Sequence, residues 1–211
     1  GQSSSYVPIN KIREWSWENF WLTQGVFAWL VFPLLGAFIS NSPAELIGIY
    51  TIHPSATWQA IGYGVLWGIG GLTFGLSMRY LGIALGQSVA LGTCAAFGTL
   101  IPAILTGTNL FSPKGLILLL AVAVTLAGIA LVGYAGSLRS KNMPEEERRK
   151  AIKDFALKKG LLIALLSGVM SACFSLGLSA GIPVKEAAIA AGAKDLFAQN
   201  PVTLLVTVGE F

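Results

Sequence analysis

Long apolar segments alternate with short polar ones along most of the chain. The apolar segments cover residues 20–40, 57–78, 81–105, 115–136 and 160–180, and another starts near residue 197. Each of the first five is close to the roughly 20 residues that a helix needs to cross a bilayer. The pattern therefore predicts an all-α, polytopic membrane helix bundle. Pro33 is expected to kink the first span, because proline removes a backbone donor.

The second and third segments form a predicted hairpin with a glycine-rich first arm. Gly64, Gly68, Gly71 and Gly75 are spaced by four, three and four residues, which places them on one helix face. Small residues let helices approach closely in lipid, where the hydrophobic effect does not drive them together. We therefore expect the hairpin to lie inside the bundle.

A row of aromatic positions lies beside this glycine face. Tyr63, Trp67 and Phe74 belong to the row, and Gly70 leaves a gap between Trp67 and Phe74. Trp67 and Phe74 are seven residues apart, about 10 Å along the helix. The row predicts either the wall of a ligand site or packing against a neighbouring helix.

The second arm carries polar groups among small residues. Ser88, Gly92, Ala95 and Thr99 share one face, with Gln87 beside it. Such groups hydrogen-bond either a neighbouring helix or a hydroxylated ligand. Both interpretations stay open on the spacing alone.

Composition supports the membrane interpretation. Hydrophobic residues make up 54% of the chain, charged residues 11%, and the mean hydropathy is +0.69, whereas soluble domains carry about 25% charged residues. The net charge of +4 is concentrated in residues 137–159, where acidic residues dilute it. A surface linker helix is predicted there, and no nucleic-acid partner is expected.

Eleven of the 14 Lys and Arg residues lie in the segments 11–19, 79–81 and 137–159. By the positive-inside rule these three segments are predicted to be cytoplasmic. The other cations are Lys114, Lys185 and Lys194. Cys94 and Cys173 have no metal-ligand spacing, so neither a metal site nor a disulfide is expected.

Glu210 is the one acidic residue inside an apolar segment. A carboxyl group in such surroundings is costly and usually functional, because it can load and release a proton near neutral pH. Glu210 is therefore the candidate proton-coupling residue. The alternative is a residue without such a role, since the segment stops at Phe211 and its depth cannot be judged.

Gly177, Ser179 and Gly181 match the G-x-S-x-G pattern of hydrolase nucleophiles. The match lies in a hydrophobic helix rather than a strand-turn-helix. The single histidine, His53, is in a predicted loop far along the chain. No catalytic residue is therefore expected.

Three stretches together resemble a known family. They are WGIGGLTFGLSMRYLGIALGQ at 67–87, REWSWE at 13–18 and FALKKGLLIALLSGVMSACFS at 155–175. They resemble the L-rhamnose/proton symporter family of the drug/metabolite transporter superfamily, and Met78–Gly82 is the most specific block. The resemblance implies ten helices in two inverted five-helix repeats, a bacterial inner-membrane location, and uptake of L-rhamnose, in some members L-lyxose, with a proton. It implies no cofactor beyond that proton.

On this resemblance the chain looks like a fragment, since it begins at Gly1 without methionine and ends within an apolar segment. Residues 1–136 would form the first repeat, from the end of helix one to helix five. Residues 137–159 would form a cytoplasmic linker helix. Residues 160–211 would form helix six and the beginning of helix seven.

A deoxy-hexose offers hydroxyls on its edges and an apolar C–H patch, so its site needs an aromatic wall and a few polar groups. The predicted substrate-binding residues are Trp67, Gly70, Phe74, Gln87, Ser88 and Thr99. Alternating access would move the sugar. The alternatives are another sugar or metabolite exchanger of the same superfamily, which would need no proton, and an intramembrane serine hydrolase using Ser179. The expected partners are the sugar and the lipid bilayer, and the oligomeric state is left open, a homodimer included.

Overall fold

The computed structural model of the protein describes residues 17–105, 107–142 and 157–211. Within these ranges the regular structure is entirely helical, and five helical segments are long and apolar enough to cross a bilayer. The predicted fold class and the number of spans are confirmed. The α-helices are α1 (Trp17–Gly25), α2 (Phe32–Ser40), α3 (Pro43–Ile52), α4 (Pro54–Leu81), α5 (Ile83–Leu105), α6 (Pro113–Asn142), α7 (Leu157–Ala180), α8 (Ile182–Ala190) and α9 (Asn200–Glu210).

The first span contains an irregular helical segment just before its proline. A π-helix, Val26–Val31, joins α1 to α2, and the backbone N–H of Phe32 donates to the carbonyl of Phe27, five residues back. Pro33 follows at once and has no N–H to donate. The predicted disturbance at Pro33 therefore takes the form of a local change in helix winding.

Helix α3 was not expected, because its sequence contains several turn residues. It begins with a capping box: the Ser42 hydroxyl accepts from the Glu45 N–H at 3.4 Å, and the Glu45 carboxylate accepts from the Ser42 N–H at 2.7 Å. Pro43 suits the first helical position. The S-P-A-E sequence thus starts a helix where a loop was predicted.

The turn between α4 and α5 is shorter than predicted. Arg79 lies in the last turn of α4, so residues 79–81 are helical rather than a loop. The connection is Gly82, whose φ of 79° is accessible to glycine at little cost. This single residue reverses the chain.

Both ends of the predicted linker are parts of the adjoining helices. Helix α6 continues to Asn142 and α7 begins at Leu157, so the proposed boundaries at 136 and 160 fall inside helices. Residues 1–16 and 143–156, which include the rest of the linker, lie outside the described part of the chain. The division into two repeats stays a prediction.

The bundle is organised around α4. Helix α7 packs against α4 and α5, and α9 packs against α4 and α2. Helix α6 packs against α5 and leaves large apolar side chains such as Leu120 and Leu131 exposed, as on a surface that faces lipid. We call the end where α2 ends and α4 and α9 begin the outer end, since the charge distribution predicts it to be non-cytoplasmic.

Candidate functional site

The glycine face of α4 is a contact surface for α9. A Cβ built on Gly64 would collide with the Val206 carbonyl oxygen, and one on Gly68 would lie 2.9 Å from the Glu210 carbonyl oxygen. From the α9 side, Gly209 approaches Gly64 equally closely, with its Cβ position 3.0 Å from the Gly64 Cα. The two helices run parallel from the outer end, nearly backbone to backbone. The predicted packing role is confirmed for Gly64 and Gly68, whereas no described atom lies within 4 Å of the Cβ position of Gly75.

The aromatic row of α4 packs against the antiparallel helix α7. The Trp67 ring lies 4.6 Å from the Phe174 ring, centroid to centroid, at an interplanar angle of 56°. A Cβ on Gly70 would lie 2.7 Å from the Ser171 backbone nitrogen, and Ser167 Oγ donates to the Gly70 carbonyl at 2.9 Å. The expectation of an empty gap at Gly70 is wrong, because the small side chains of α7 let its backbone fill the gap.

Phe74, the last aromatic residue of the row, is half-buried. It packs against a second apolar cluster that includes Leu81, Val89 and Ala164. This cluster joins α4, α5 and α7 at the end of the bundle opposite the outer end. Phe74 therefore contacts core side chains on the face that was predicted to hold ligand.

The polar positions of α5 are spread along the helix and have different surroundings. A Cβ on Gly92 would collide with Ile129 of α6, so the small-residue face turns toward α6 at that point. Thr99 is exposed, and its hydroxyl donates to the Ala95 carbonyl at 2.7 Å. Gln87 and Ser88 are half-buried. Ser88 and Thr99 are about 16 Å apart along the helix, farther than one monosaccharide reaches.

Glu210 is the last residue of α9 and lies against the glycine face of α4. It is ten positions along α9 from Asn200, which places it about 15 Å from the outer end, near the middle of a core about 30 Å thick. Its Oε1 is 3.6 Å from the Cβ position of Gly71, and its buried Oε2 has no hydrogen-bond partner among the described residues. The side chain is half-buried, so the structure holds an unpaired carboxylate oxygen at mid-depth.

The hydrolase alternative finds no support in the geometry. Ser179 is inside α7, and its hydroxyl donates to the Ser175 carbonyl at 2.9 Å, a bond within the helix. His53 is the single residue between α3 and α4. Within the described ranges, no group of His, Cys, Asp and Glu side chains could hold a metal ion.

Sequence reasoning missed the partner surface on α7. Ser167, Ser171, Ser175 and Ser179 recur every fourth residue. The first two contact Gly70, and the Ser175 Oγ lies 3.3 Å from the Cβ position of Gly98 on α5. This serine spacing was the signal that could have predicted a close approach of α7 to both arms of the hairpin.

The five apolar spans define a multi-pass membrane protein with an all-helical fold. The chain matches the family of L-rhamnose-proton symport proteins over residues 1–210. It is 34% identical over 217 aligned residues to the L-rhamnose-proton symporters of Yersinia pestis bv. Antiqua (strain Antiqua) and Yersinia pseudotuberculosis serotype O:1b (strain IP 31758). The chain therefore belongs to the L-rhamnose-proton symporter family.

The alignments cover 97% of this chain and 59% and 58% of those two relatives, so the chain spans less than two thirds of their length. No solved structure matches the chain significantly. The family is one of transporters rather than enzymes, which sets aside the serine-hydrolase alternative. Multi-pass insertion is consistent with the bacterial inner membrane.

Proposed function

We propose that the complete protein takes up L-rhamnose together with a proton across the bacterial inner membrane, by alternating access. Family membership supports the substrate and the coupling ion, because the relatives that match nearly the whole chain are named L-rhamnose-proton symporters. The observation that carries the coupling is the half-buried carboxyl group of Glu210, whose Oε2 has no hydrogen-bond partner among the described residues. L-Lyxose is a second candidate substrate.

In this proposal Glu210 binds the transported proton. A carboxyl group without a cationic partner can be neutral in one conformation and charged in another, provided that its access to water changes. Gly71 leaves room beside the carboxylate, since a side chain there would lie against Oε1. At Gly75, one turn further along the same face, no described atom lies within 4 Å of the Cβ position. The glycine face thus leaves space next to the proton site.

For the sugar, Trp67 stays the proposed aromatic contact, and the structure adds Phe174 as its neighbour. Trp67 is adjacent to Gly68, whose Cβ position is 2.9 Å from the Glu210 carbonyl oxygen, so Trp67 lies close to the depth of Glu210. Phe74, Gln87, Ser88 and Thr99 stay predictions, and Gly70 is reassigned to helix packing because α7 fills its surroundings. Homodimer formation also stays a prediction.

The direct test is uptake of radiolabelled L-rhamnose into proteoliposomes containing the complete protein, with an imposed pH gradient. We expect accumulation above the external concentration when the outside is more acidic, and its loss when a protonophore collapses the gradient. L-Lyxose and D-glucose, added as unlabelled competitors, report the selectivity. Uptake that ignores the gradient but requires a counter-substrate inside would instead support the exchanger alternative.

A further inference from the structure

Four side-chain hydrogen bonds join the two predicted repeats at the outer end. They run from Ser40 Oγ to the Phe197 carbonyl at 2.7 Å, Asn41 Nδ2 to the Ala188 carbonyl at 3.2 Å, the Tyr50 hydroxyl to the Pro201 carbonyl at 3.1 Å, and Asn200 Nδ2 to the Gly36 carbonyl at 2.9 Å. Every acceptor is a backbone carbonyl, so the bonds report the relative positions of the helices themselves. We call these four bonds the outer latch.

The outer latch lies among buried residues. Asn41 is only 4% exposed, and Ala188, Ala198 and Val202 are fully buried. Hydrogen bonds in such surroundings are electrostatically stronger than in water. Among the described residues, the buried Asn41 Oδ1 has no hydrogen-bond partner, which weakens the closed arrangement.

Helix α2 has the form of an arm held at the outer latch. Its outward side chains are largely exposed, with Phe32 at 64% and Ile39 at 66%, while Ala37 on the opposite side is fully buried. Among the described helices, α2 packs chiefly on α9. Within the described part of the chain, α9 and the adjoining π-helix are the main elements that hold this arm in place.

At its inner end, α2 follows directly on a π-helix. The π-helix Val26–Val31 precedes Pro33 and interrupts the regular hydrogen-bond ladder between α1 and α2. Such segments are where helices bend, and they often occur at functional sites. Helix α2 can therefore swing about its inner end while its outer end engages or leaves α8 and α9.

We propose that the outer latch is the external gate of the transporter, closed in this structure and released when α2 and α3 move away from α8 and the start of α9. The proposal rests on the alternating-access function proposed above and on the predicted orientation. Opening the latch would give the sugar access to the centre of the bundle from outside.

The Tyr50 hydroxyl can donate its hydrogen bond to the Pro201 carbonyl at any physiological pH. Burial raises the pKa of Tyr50 to about 12, so its hydroxyl stays protonated and remains a donor. Helix movement, and not ionisation of this tyrosine, breaks the bond. Tyr50→Phe removes the hydroxyl alone and is therefore the mildest change to the latch.

Gate position can be measured without sugar by spin labels on the complete protein in lipid nanodiscs. Ile39→Cys on α2 and Leu196→Cys between α8 and α9 are exposed labelling sites, placed in a background without Cys94 and Cys173. We expect Tyr50→Phe and Ser40→Ala each to raise the ratio of long to short distances roughly fivefold, as the loss of one hydrogen bond implies. The matched controls, Tyr134→Phe and Ser55→Ala, should leave the ratio unchanged. Unchanged distances in both latch variants would overturn the proposal.

A disulfide provides the converse test. A Cβ built on Gly36 lies 3.7 Å from the Asn200 Cβ, within the range of about 3.5–4.5 Å that disulfides require. In the same cysteine-free background, oxidised Gly36→Cys/Asn200→Cys should abolish L-rhamnose uptake from outside, and reduction should restore it. The single variants should be insensitive to oxidation.

The two tests separate the two claims. If wild-type protein takes up no rhamnose, the proposed function fails while the spin-label distances still decide whether the latch opens. If the fully cross-linked double variant takes up L-rhamnose at the wild-type rate, the gate proposal is wrong, while proton-coupled transport is unaffected. Failure of the cysteines to cross-link would also contradict the closed latch.

Discussion

Glycines on α4 have very different surroundings at the scale of single residues. Gly64 and Gly68 meet the backbone of α9, and Gly70 meets the backbone of α7. Gly62 has no heavy atom within 4 Å of its Cβ position. A Gly→Ala substitution is therefore expected to disturb packing at Gly64, Gly68 and Gly70 and to be tolerated at Gly62.

Gly70→Ala should lower the free energy of unfolding by about 1–3 kcal/mol, because the added methyl group would press on the Ser171 backbone nitrogen 2.7 Å away. Gly62→Ala is the control, since Ala is favoured over Gly in a helix by up to about 1 kcal/mol. Thermal unfolding of the purified protein measures both. Equal melting temperatures for the two variants would mean that α7 does not approach Gly70 as closely as described.

The sequence could predict which residues share a face of α4 but not what meets each face. Helical periodicity places Gly64, Gly68 and Gly71 together, and the closeness of α9 follows from their size. Gly70 looked like an empty gap because periodicity carries no information about α7. Its partner, Ser171, is about 100 residues further along the chain.

At the scale of elements, α3 shows how a local signal was overlooked. The backbone N–H of Ser42 donates to the Glu45 carboxylate, which lowers the pKa of that carboxyl below its ordinary value. The contact therefore stabilises α3 above the ordinary pKa of glutamate and stops doing so as the pH falls through the lowered pKa. Proline and glycine in this stretch suggested turns, whereas Ser42 and Glu45 form a helix start.

Ser42→Ala should destabilise α3 by about 1 kcal/mol, because the Glu45 N–H loses its side-chain acceptor. Hydrogen exchange at neutral pH should show faster exchange across residues 45–50. Ser55→Ala at the exposed start of α4 should leave α3 unchanged. Protection of α3 that is the same in all three proteins would show that the capping box does not hold this helix.

At the scale of the whole molecule, the five spans were predictable because bilayer thickness fixes helix length. Their alternating directions follow because each span crosses the bilayer once. The structure places Arg79 and Lys159 at one end and Lys114 at the other, since the helices alternate in direction. Lys159 Nζ lies 5.0 Å from the centre of the Tyr80 ring, which joins α7 to α4 at the cation-rich end. The arrangement of α7 between the hairpin arms was not predictable, because it depends on contacts between distant segments.

The orientation predicts unequal labelling of two engineered cysteines. In a background without Cys94 and Cys173, Ser55→Cys at the outer end should react with a membrane-impermeant maleimide in intact cells. Lys158→Cys, at the cation-rich end and also exposed, should react only after the membrane is permeabilised. The reverse pattern would invert the orientation and turn the outer latch into a cytoplasmic one.

The central claim is that Glu210 couples the proton to the sugar. The most direct measurement compares uphill uptake with sugar exchange at equilibrium, in proteoliposomes containing the complete protein with Glu210→Gln. Glutamine keeps the size of the side chain but cannot bind or release a proton. Glu186→Gln, an exposed position on α8, is the matched control and should behave as wild type. The account predicts that Glu210→Gln abolishes accumulation driven by the pH gradient and keeps exchange. Accumulation at the wild-type level in Glu210→Gln would contradict it.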